Sequence, residues 1–506
     1  MVELNKYLNR KDFNAVITAH KKVKINPDLA KEIEKNHQFL KDFSKNKIIY
    51  GVNTGFGPMA QYRVSDEDGK QLQYNLIRSH ASGSGKVIPT QHIRAAMLAR
   101  LNSICQLKSG VHPSVPALLV ELLNKEIYPV VFEHGGVGAS GDLVQLAHIA
   151  LGLIGEGEVI YKGERRKTAE VFAEENIKPI EIHIREGLAL MNGTSNMTGI
   201  GLVNHQKAKN LMRWSLNFSA IINEIVQAYD DHFSAVLNQA KNHKGQQKIA
   251  EEMRNHLADS QLIKNRSEHL YSGRNTEMFF KEKVQEYYSL RCIPQILGPV
   301  YDTINYTGKV LEDELNSAND NPIVDSEKEQ VVHGGNFHGD YISLEMDKLK
   351  LGITRISMLA ERQLNFLVND KLNQILPPFV NRGKLGLNYG VQGMQFTATS
   401  TTAENQTLSN SMYVHSIPNN NDNQDIVSMG TNAAQLTAKI IENTYEVLSV
   451  ELIAIYQAVK YLKIMQGLSS ESRKILVKLE NIIPDMIEDQ AGYVIIEKAK
   501  QFLKAN

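Results

Sequence analysis

Tyr128-Pro129-Val130-Val131-Phe132-Glu133-His134-Gly135-Gly136-Val137-Gly138-Ala139-Ser140-Gly141-Asp142 is an apolar run that gives way to a string of small residues. Its core is Ala139-Ser140-Gly141, followed by Asp142. Glycine tolerates backbone conformations that other residues avoid, so the chain can fold tightly on itself here. A dinucleotide loop is one reading. Gly136-Val137-Gly138-Ala139-Ser140-Gly141 fits G-x-G-x-x-G, and Glu156 and Glu158 follow at about the 20-residue distance that fingerprint asks. Against it, Asp142 puts a negative charge where a helix start would hold pyrophosphate, and no repeated βα units follow. A glycine-rich turn without chemistry is the second reading.

The third reading is a self-made electrophile. In a compressed turn the Gly141 amide nitrogen can attack the Ala139 carbonyl carbon. Loss of two waters, one carrying off the Ser140 hydroxyl, leaves the five-membered ring 4-methylidene-imidazole-5-one. Ala139 is small beside the attacked carbonyl, Ser140 supplies the leaving hydroxyl, and Gly141 offers an unhindered nitrogen.

Bulk properties narrow the classes. The chain has 506 residues, enough for a large core and more than one domain. Lys+Arg and Asp+Glu both number 56, so no basic excess points to nucleic acid or a membrane surface. Only Cys105 and Cys292 are present, which argues against a disulfide framework or a cysteine-rich zinc site. The first residues lack the apolar stretch of a signal peptide, and no segment approaches the ~20 apolar residues of a membrane span. A cytoplasmic protein is expected.

Proline placement organises the rest. None occurs between Pro179 and Pro294, Pro322 and Pro377, or Pro418 and Pro484, which permits long helices. Apolar residues recur at helical spacing over 211–229, 342–376 and 433–465. Charged faces such as Lys207, Lys209, Arg213 and Glu224 read as solvated or interface-facing. Extended pieces are short: 47–52, 128–132, 157–162 and 179–184. The spacing predicts a mainly α protein, with a smaller mixed N-terminal domain over 1–200 carrying the Ala-Ser-Gly loop and a long-helix bundle over 201–506.

Further motifs accompany the loop in order: Tyr50-Gly51-Val52-Asn53-Thr54-Gly55-Phe56-Gly57, Ser79-His80, Asn192-Gly193-Thr194, Tyr288-Ser289-Leu290-Arg291, Gly334-Gly335-Asn336-Phe337-His338 and Asn423-Gln424-Asp425. Taken singly, each has a bland reading. Most tyrosines only pack, most arginines are exposed, and Asn-Gly or Gly-Gly dipeptides are turns. Together with Ala139-Ser140-Gly141, they resemble the aromatic amino acid ammonia-lyase family, which includes histidine, phenylalanine and tyrosine lyases and related aminomutases. The likeness covers essentially the whole chain. One departure is Gln145, where the family usually has proline. It lies beyond the ring-forming triplet.

The resemblance implies 4-methylidene-imidazole-5-one formed from Ala139, Ser140 and Gly141, with no metal and no nucleotide. It implies Tyr50 as the base that takes the substrate β-proton. Arg291 would hold the substrate carboxylate through its planar fork. Tyr288 and Gln285 would line the site, Tyr288 being counted with the catalytic residues. Asn192 would bond the ring carbonyl or the substrate carboxylate. Phe337 would pack on substrate or ring with Asn336 as a polar contact, and Gln424 would approach the prosthetic group. Glu404 matches a glutamate near the substrate amine in the histidine branch. The substrate would attack the methylene through its amine, or through its ring in the older alternative. A homotetramer with shared active sites is implied. His333, His338 and His134 lie near these motifs, but H-E-x-x-H is absent and no standard ligand spacing occurs, so no metal is expected.

Substrate choice turns on Ser79-His80. This is the pair of histidine lyases, whereas phenylalanine lyases place Phe-Leu there and common tyrosine lyases His-Leu. The wider strings around residues 74–80, 133–146 and 417–425 look like a bacterial tyrosine ammonia-lyase group that carries Ser-His. His80 can bond a phenol hydroxyl or an imidazole nitrogen. The expected reaction is L-tyrosine to trans-4-coumarate, with L-histidine to urocanate and then an aminomutase as alternatives. A NAD-binding oxidoreductase and a non-catalytic helical scaffold are the rivals from other classes.

Overall fold

The computed structural model describes residues 1–273, 276–280 and 283–506. The protein is mainly α, as expected, with long helices at Ser195–Ile225, Ile293–Leu315, Asp340–Val368 and Gly430–Leu462. The last of these buries Ile440, Val447, Leu448, Leu452, Ile455 and Val459, each worth roughly 1.5–3 kcal/mol on leaving water. No helix among the described residues is long and apolar enough to cross a membrane.

The sheets are small. Val2–Leu4 pairs parallel with Val23–Ile25, and Tyr128–Pro129, Glu158–Tyr161 and Glu164–Lys167 form an antiparallel three-stranded sheet. Phe132–His134 pairs antiparallel with Ser84–Val87. No doubly wound parallel sheet occurs among the described residues, which removes the support a dinucleotide loop requires.

Two expected extended pieces are not strands. At 47–52 the Asn53 side chain takes over the backbone's bonding, accepting from Ile49 N at 2.9 Å and donating to Lys47 O at 2.7 Å, and the chain turns. Over 179–184 the Glu186 carboxylate accepts from His183 N and Ile184 N, so no partner strand is used. Glu224 also departs from the expected charged face. It is buried and accepts from Ser469 N and Ser472 Oγ, and burial raises its pKa.

The chain divides into two compact units, each built from three stretches. Unit 1 holds Met1–Gln206, Thr307–Asp347 and Ser411–Ala438; unit 2 holds Lys207–Tyr306, Lys348–Asn410 and Lys439–Asn506. The sequence pattern predicts one boundary, after residue 200. Four of the five boundaries between these stretches fall inside the long helices, where no linker composition marks them.

In unit 1, helices Asp66–His80, Leu143–Leu153 and Glu186–Met191 pack against one another pairwise. Each carries a motif at or beside its end: Ser79-His80, Ala139-Ser140-Gly141 and Asn192 respectively. In unit 2, Trp214 stacks obliquely on Phe218 and Phe502 and donates to Leu503 O at 2.9 Å, fixing the C-terminal helix Gly492–Ala505.

Candidate active site

The Ala139-Ser140-Gly141 turn is pinned on both sides. Before it, Met429 N donates to Val137 O, while Gly339 N and Ser428 Oγ donate to Gly138 O, all at 3.0 Å. After it, Asp142 N donates to Gly193 O at 2.8 Å. Gly141 has φ +73°, and a Cβ there would lie 2.0 Å from Gly193 O, so only glycine fits. Ala139 is buried and Ser140 half-buried. Two amides reach Ser140: Gln424 Nε2 donates to its Oγ at 3.0 Å, and Asn192 Nδ2 donates to its carbonyl oxygen at 3.1 Å. Asn192 Oδ1 is buried without a partner.

The Tyr50 loop reaches the same segments. The Tyr50 hydroxyl accepts from Gly57 N at 3.1 Å, and its ring meets Phe56 edge-on at 6.0 Å. A Cβ on Gly57 would sit 2.8 Å from Asn420 Nδ2, on the loop that carries Gln424. Tyr50 N donates to His333 Nε2 at 3.3 Å, in the segment that leads to the half-buried Phe337. Asn336 turns elsewhere, donating to Ala318 O at 3.4 Å.

His80 closes helix Asp66–His80. Its Nδ1 lies 3.0 Å from Leu76 O, and a carbonyl only accepts, so Nδ1 carries the proton. Burial lowers its pKa, with the Leu76 contact opposing, which favours the neutral ring. Nε2 is then the acceptor. Ser79 is exposed; its hydroxyl donates to Leu76 O at 3.2 Å and accepts from His80 Nδ1 at 3.0 Å.

The remaining motif residues belong to unit 2. Arg291 donates to Gln285 Oε1 and lies over the Tyr288 ring at 4.8 Å. Tyr288 is 70% exposed. Glu404, exposed on helix Gln392–Leu408, accepts from Asn443 Nδ2 at 2.6 Å and lies 3.6 Å from Lys439 Nζ. Among the described residues, no group of three or more His, Cys, Asp or Glu is arranged to hold a metal ion.

A family model described as aromatic amino acid lyase matches residues 8–481. The chain belongs to the aromatic amino acid lyase family. It is 40% identical to a tyrosine 2,3-aminomutase of Chondromyces crocatus, over 90% of this chain and 87% of that one. It is 38% identical to a histidine ammonia-lyase of Geobacillus sp. (strain WCH70), over 93% and 90%. The solved structure of tyrosine aminomutase from Streptomyces globisporus superposes with a TM-score of 0.95 at 34% identity, covering 100% of this chain and 97% of that one. As a member of this family, with lyases and aminomutases among its relatives, the protein is an enzyme of the aromatic amino acid lyase and aminomutase type.

Several residues that shape the site of this lyase-family chain are invisible to motif reading. Asp142, fully buried, does not cap its own helix. Its carboxylate accepts from Met197 N at 2.9 Å, at the start of helix Ser195–Ile225, and from Thr431 Oγ1 at 2.6 Å, at the start of helix Gly430–Leu462. Burial pushes its pKa up to about 6 against these bonds. Beneath Gly193, Arg100 donates to Asn319 Oδ1 at 3.3 Å and to Ala189 O, and Thr194 Oγ1 donates to the half-buried Glu314. Gln145, the departure from the family pattern, donates from Nε2 to Phe132 O at 3.3 Å and Glu133 O at 3.4 Å, tying the start of helix Leu143–Leu153 to the preceding strand. None of these partners is near in sequence, so no local signal marks them.

Proposed function

We propose that the protein eliminates ammonia from L-tyrosine to give trans-4-coumarate, using 4-methylidene-imidazole-5-one made from Ala139, Ser140 and Gly141. The observation that carries the substrate reading is His80. Its Nδ1–H is committed to Leu76 O, so the neutral ring offers Nε2 as an acceptor. A phenol O–H answers that acceptor, and the unsubstituted ring of phenylalanine does not. An imidazole N–H also answers it. Glu404, the residue that leans toward histidine, already bonds Asn443 and faces Lys439 within its own unit, which favours tyrosine.

The turn fits the prosthetic group. Gln424 donates to the Ser140 oxygen that must leave as water, and Asn192 donates to the Ser140 carbonyl oxygen that the ring would retain. Once formed, the ring supplies an electrophile that turns the substrate amine into a leaving group. Tyr50, held by Gly57 N, takes the β-proton. Arg291, steadied by Gln285 and Tyr288, takes the substrate carboxylate as a charge-assisted pair. Phe337 packs on the substrate. Neither metal nor nucleotide enters the reaction.

A homotetramer with sites drawn from several copies completes this reading, in a cytoplasmic setting. Unit 2 leaves Tyr288, Phe396 and Leu351 largely in water, apolar surface that a second copy would cover. The second reading, a tyrosine aminomutase, rests on the relatives bearing that name. Incubation with L-tyrosine separates the two: 4-coumarate accumulates from a lyase and β-tyrosine from a mutase. Parallel kcat/KM with tyrosine, histidine and phenylalanine tests the substrate, and faster urocanate than coumarate formation would sink the tyrosine assignment.

A further inference from the structure

Gln73 sits at the middle of helix Asp66–His80 with no exposed surface. Both ends of its carboxamide are spent on backbone. Nε2 donates to Gly51 O at 3.0 Å, on the residue that follows Tyr50. Oε1 accepts from Leu188 N at 2.9 Å, and Leu188 O in turn accepts from Asn192 N at 2.8 Å. The contacts around it are close on both sides. A Cβ on Gly51, where φ is +72°, would meet Leu188 Cδ2 at 2.4 Å, and a Cβ on Gly187 would meet Gln73 Oε1 and O at 2.8 Å. A glutamine with both groups bonded is the side chain that can accept on one side and donate on the other. Leaving either backbone group without its bond in this dry place forfeits the bond and keeps the desolvation cost.

The helix adds a second relationship. Residues seven apart lie on one face of an α-helix, about 10 Å apart along its axis. Gln73 and His80 are so related, with Leu76 and Ile77 buried between them on the same stripe. One rigid element therefore carries the tether of the Tyr50 loop, the tether of the Asn192 segment and the ring-reading histidine.

We infer that Gln73 is a positioning residue for proton abstraction: it sets the Tyr50 loop against the Asn192 segment on the helix that presents His80. It touches no reacting atom and acts through Tyr50, so the inference rests on Tyr50 being the base. Misplacing a catalytic group by about 1 Å can cost up to ~100-fold in rate.

The test compares Gln73→Glu, Gln73→Met, Tyr50→Phe and the Tyr50→Phe/Gln73→Glu double variant, with L-tyrosine and its β-dideuterated form. Gln73→Glu keeps the acceptor for Leu188 N and loses the donor to Gly51 O. It is expected to lower kcat about 10- to 100-fold with KM little changed, and to enlarge the deuterium isotope effect on kcat. Gln73→Met is expected to do the same. An isotope effect is a ratio, so it is read from whatever fraction of a variant folds. The double variant should be no slower than Tyr50→Phe alone, because Gln73 acts through the Tyr50 hydroxyl that the other change has already removed. An isotope effect unchanged in both Gln73 variants, or multiplied losses in the double variant, overturns the inference while leaving the base assignment standing. Near-normal kcat in Tyr50→Phe overturns the base assignment itself.

Discussion

Asn192 and Ser140 meet through one bond: Asn192 Nδ2 donates to the Ser140 carbonyl oxygen at 3.1 Å, while Asn192 Oδ1 stays buried without a partner. With Gln424 on the Ser140 hydroxyl, both oxygens of one residue are held by neutral amides. A donor on a carbonyl steadies charge that develops there. The arrangement suits a serine whose hydroxyl departs and whose carbonyl remains.

Tyr50→Phe deletes one hydroxyl and leaves the Phe56 contact available. Loss of a general base lowers kcat by roughly 10²–10⁴, with KM little altered. Steady-state kinetics at fixed pH check this, and a near-normal kcat assigns the base elsewhere.

Arg291→Met keeps length and removes the charge that Gln285 and Tyr288 steady. A hydrogen bond to a charged group is worth about 1.5–3 kcal/mol, so KM should rise roughly 10- to 100-fold with the protein still folded. An unchanged KM moves the carboxylate site to another residue.

The long helices were legible because apolar spacing and proline-free stretches are local properties. Gly430–Leu462 and Asp340–Val368 overlap the expected 433–465 and 342–376 closely. The glycine motifs marked the turns for the same reason: Gly141 and Gly193 cannot carry a Cβ. What sequence could not carry is partnership across the chain. Asp142 reads as a helix-start charge, yet it caps a helix more than fifty residues on, bonding Met197 N. Residues 47–52 read as a strand until Asn53 is seen to take its backbone bonds. Gln73 has no motif at all, and its value lies wholly in Gly51 and Leu188.

His80→Phe removes the acceptor that favours a substrate bearing a donor. The kcat/KM ratio of tyrosine to phenylalanine should fall by about 10-fold or more, measured with both substrates on one preparation. A ratio that holds steady means that His80 does not touch the ring.

Asp142 gives stability a defined pH dependence. Its folded pKa, about 6, stands above the ordinary carboxylate value of 3.8, so the folded state holds the proton more tightly. Stability from this group is fully present below the lower value and is lost as pH rises through the higher one. The loss amounts to roughly 3 kcal/mol. Asp142→Asn cannot titrate. Denaturant unfolding of both proteins from pH 4 to pH 7 should show wild type losing stability relative to the variant, and parallel curves would contradict the shift.

The central claim is that Ala139, Ser140 and Gly141 become the electrophile. Intact-protein mass spectrometry of active wild type and Ser140→Ala, with an ultraviolet difference spectrum between them, tests it most directly. The account predicts a wild-type mass lower than the sequence mass by two waters and a ring absorbance present only in wild type. Ser140→Ala should be folded and without elimination activity. A full, unmodified mass in fully active enzyme would contradict the account.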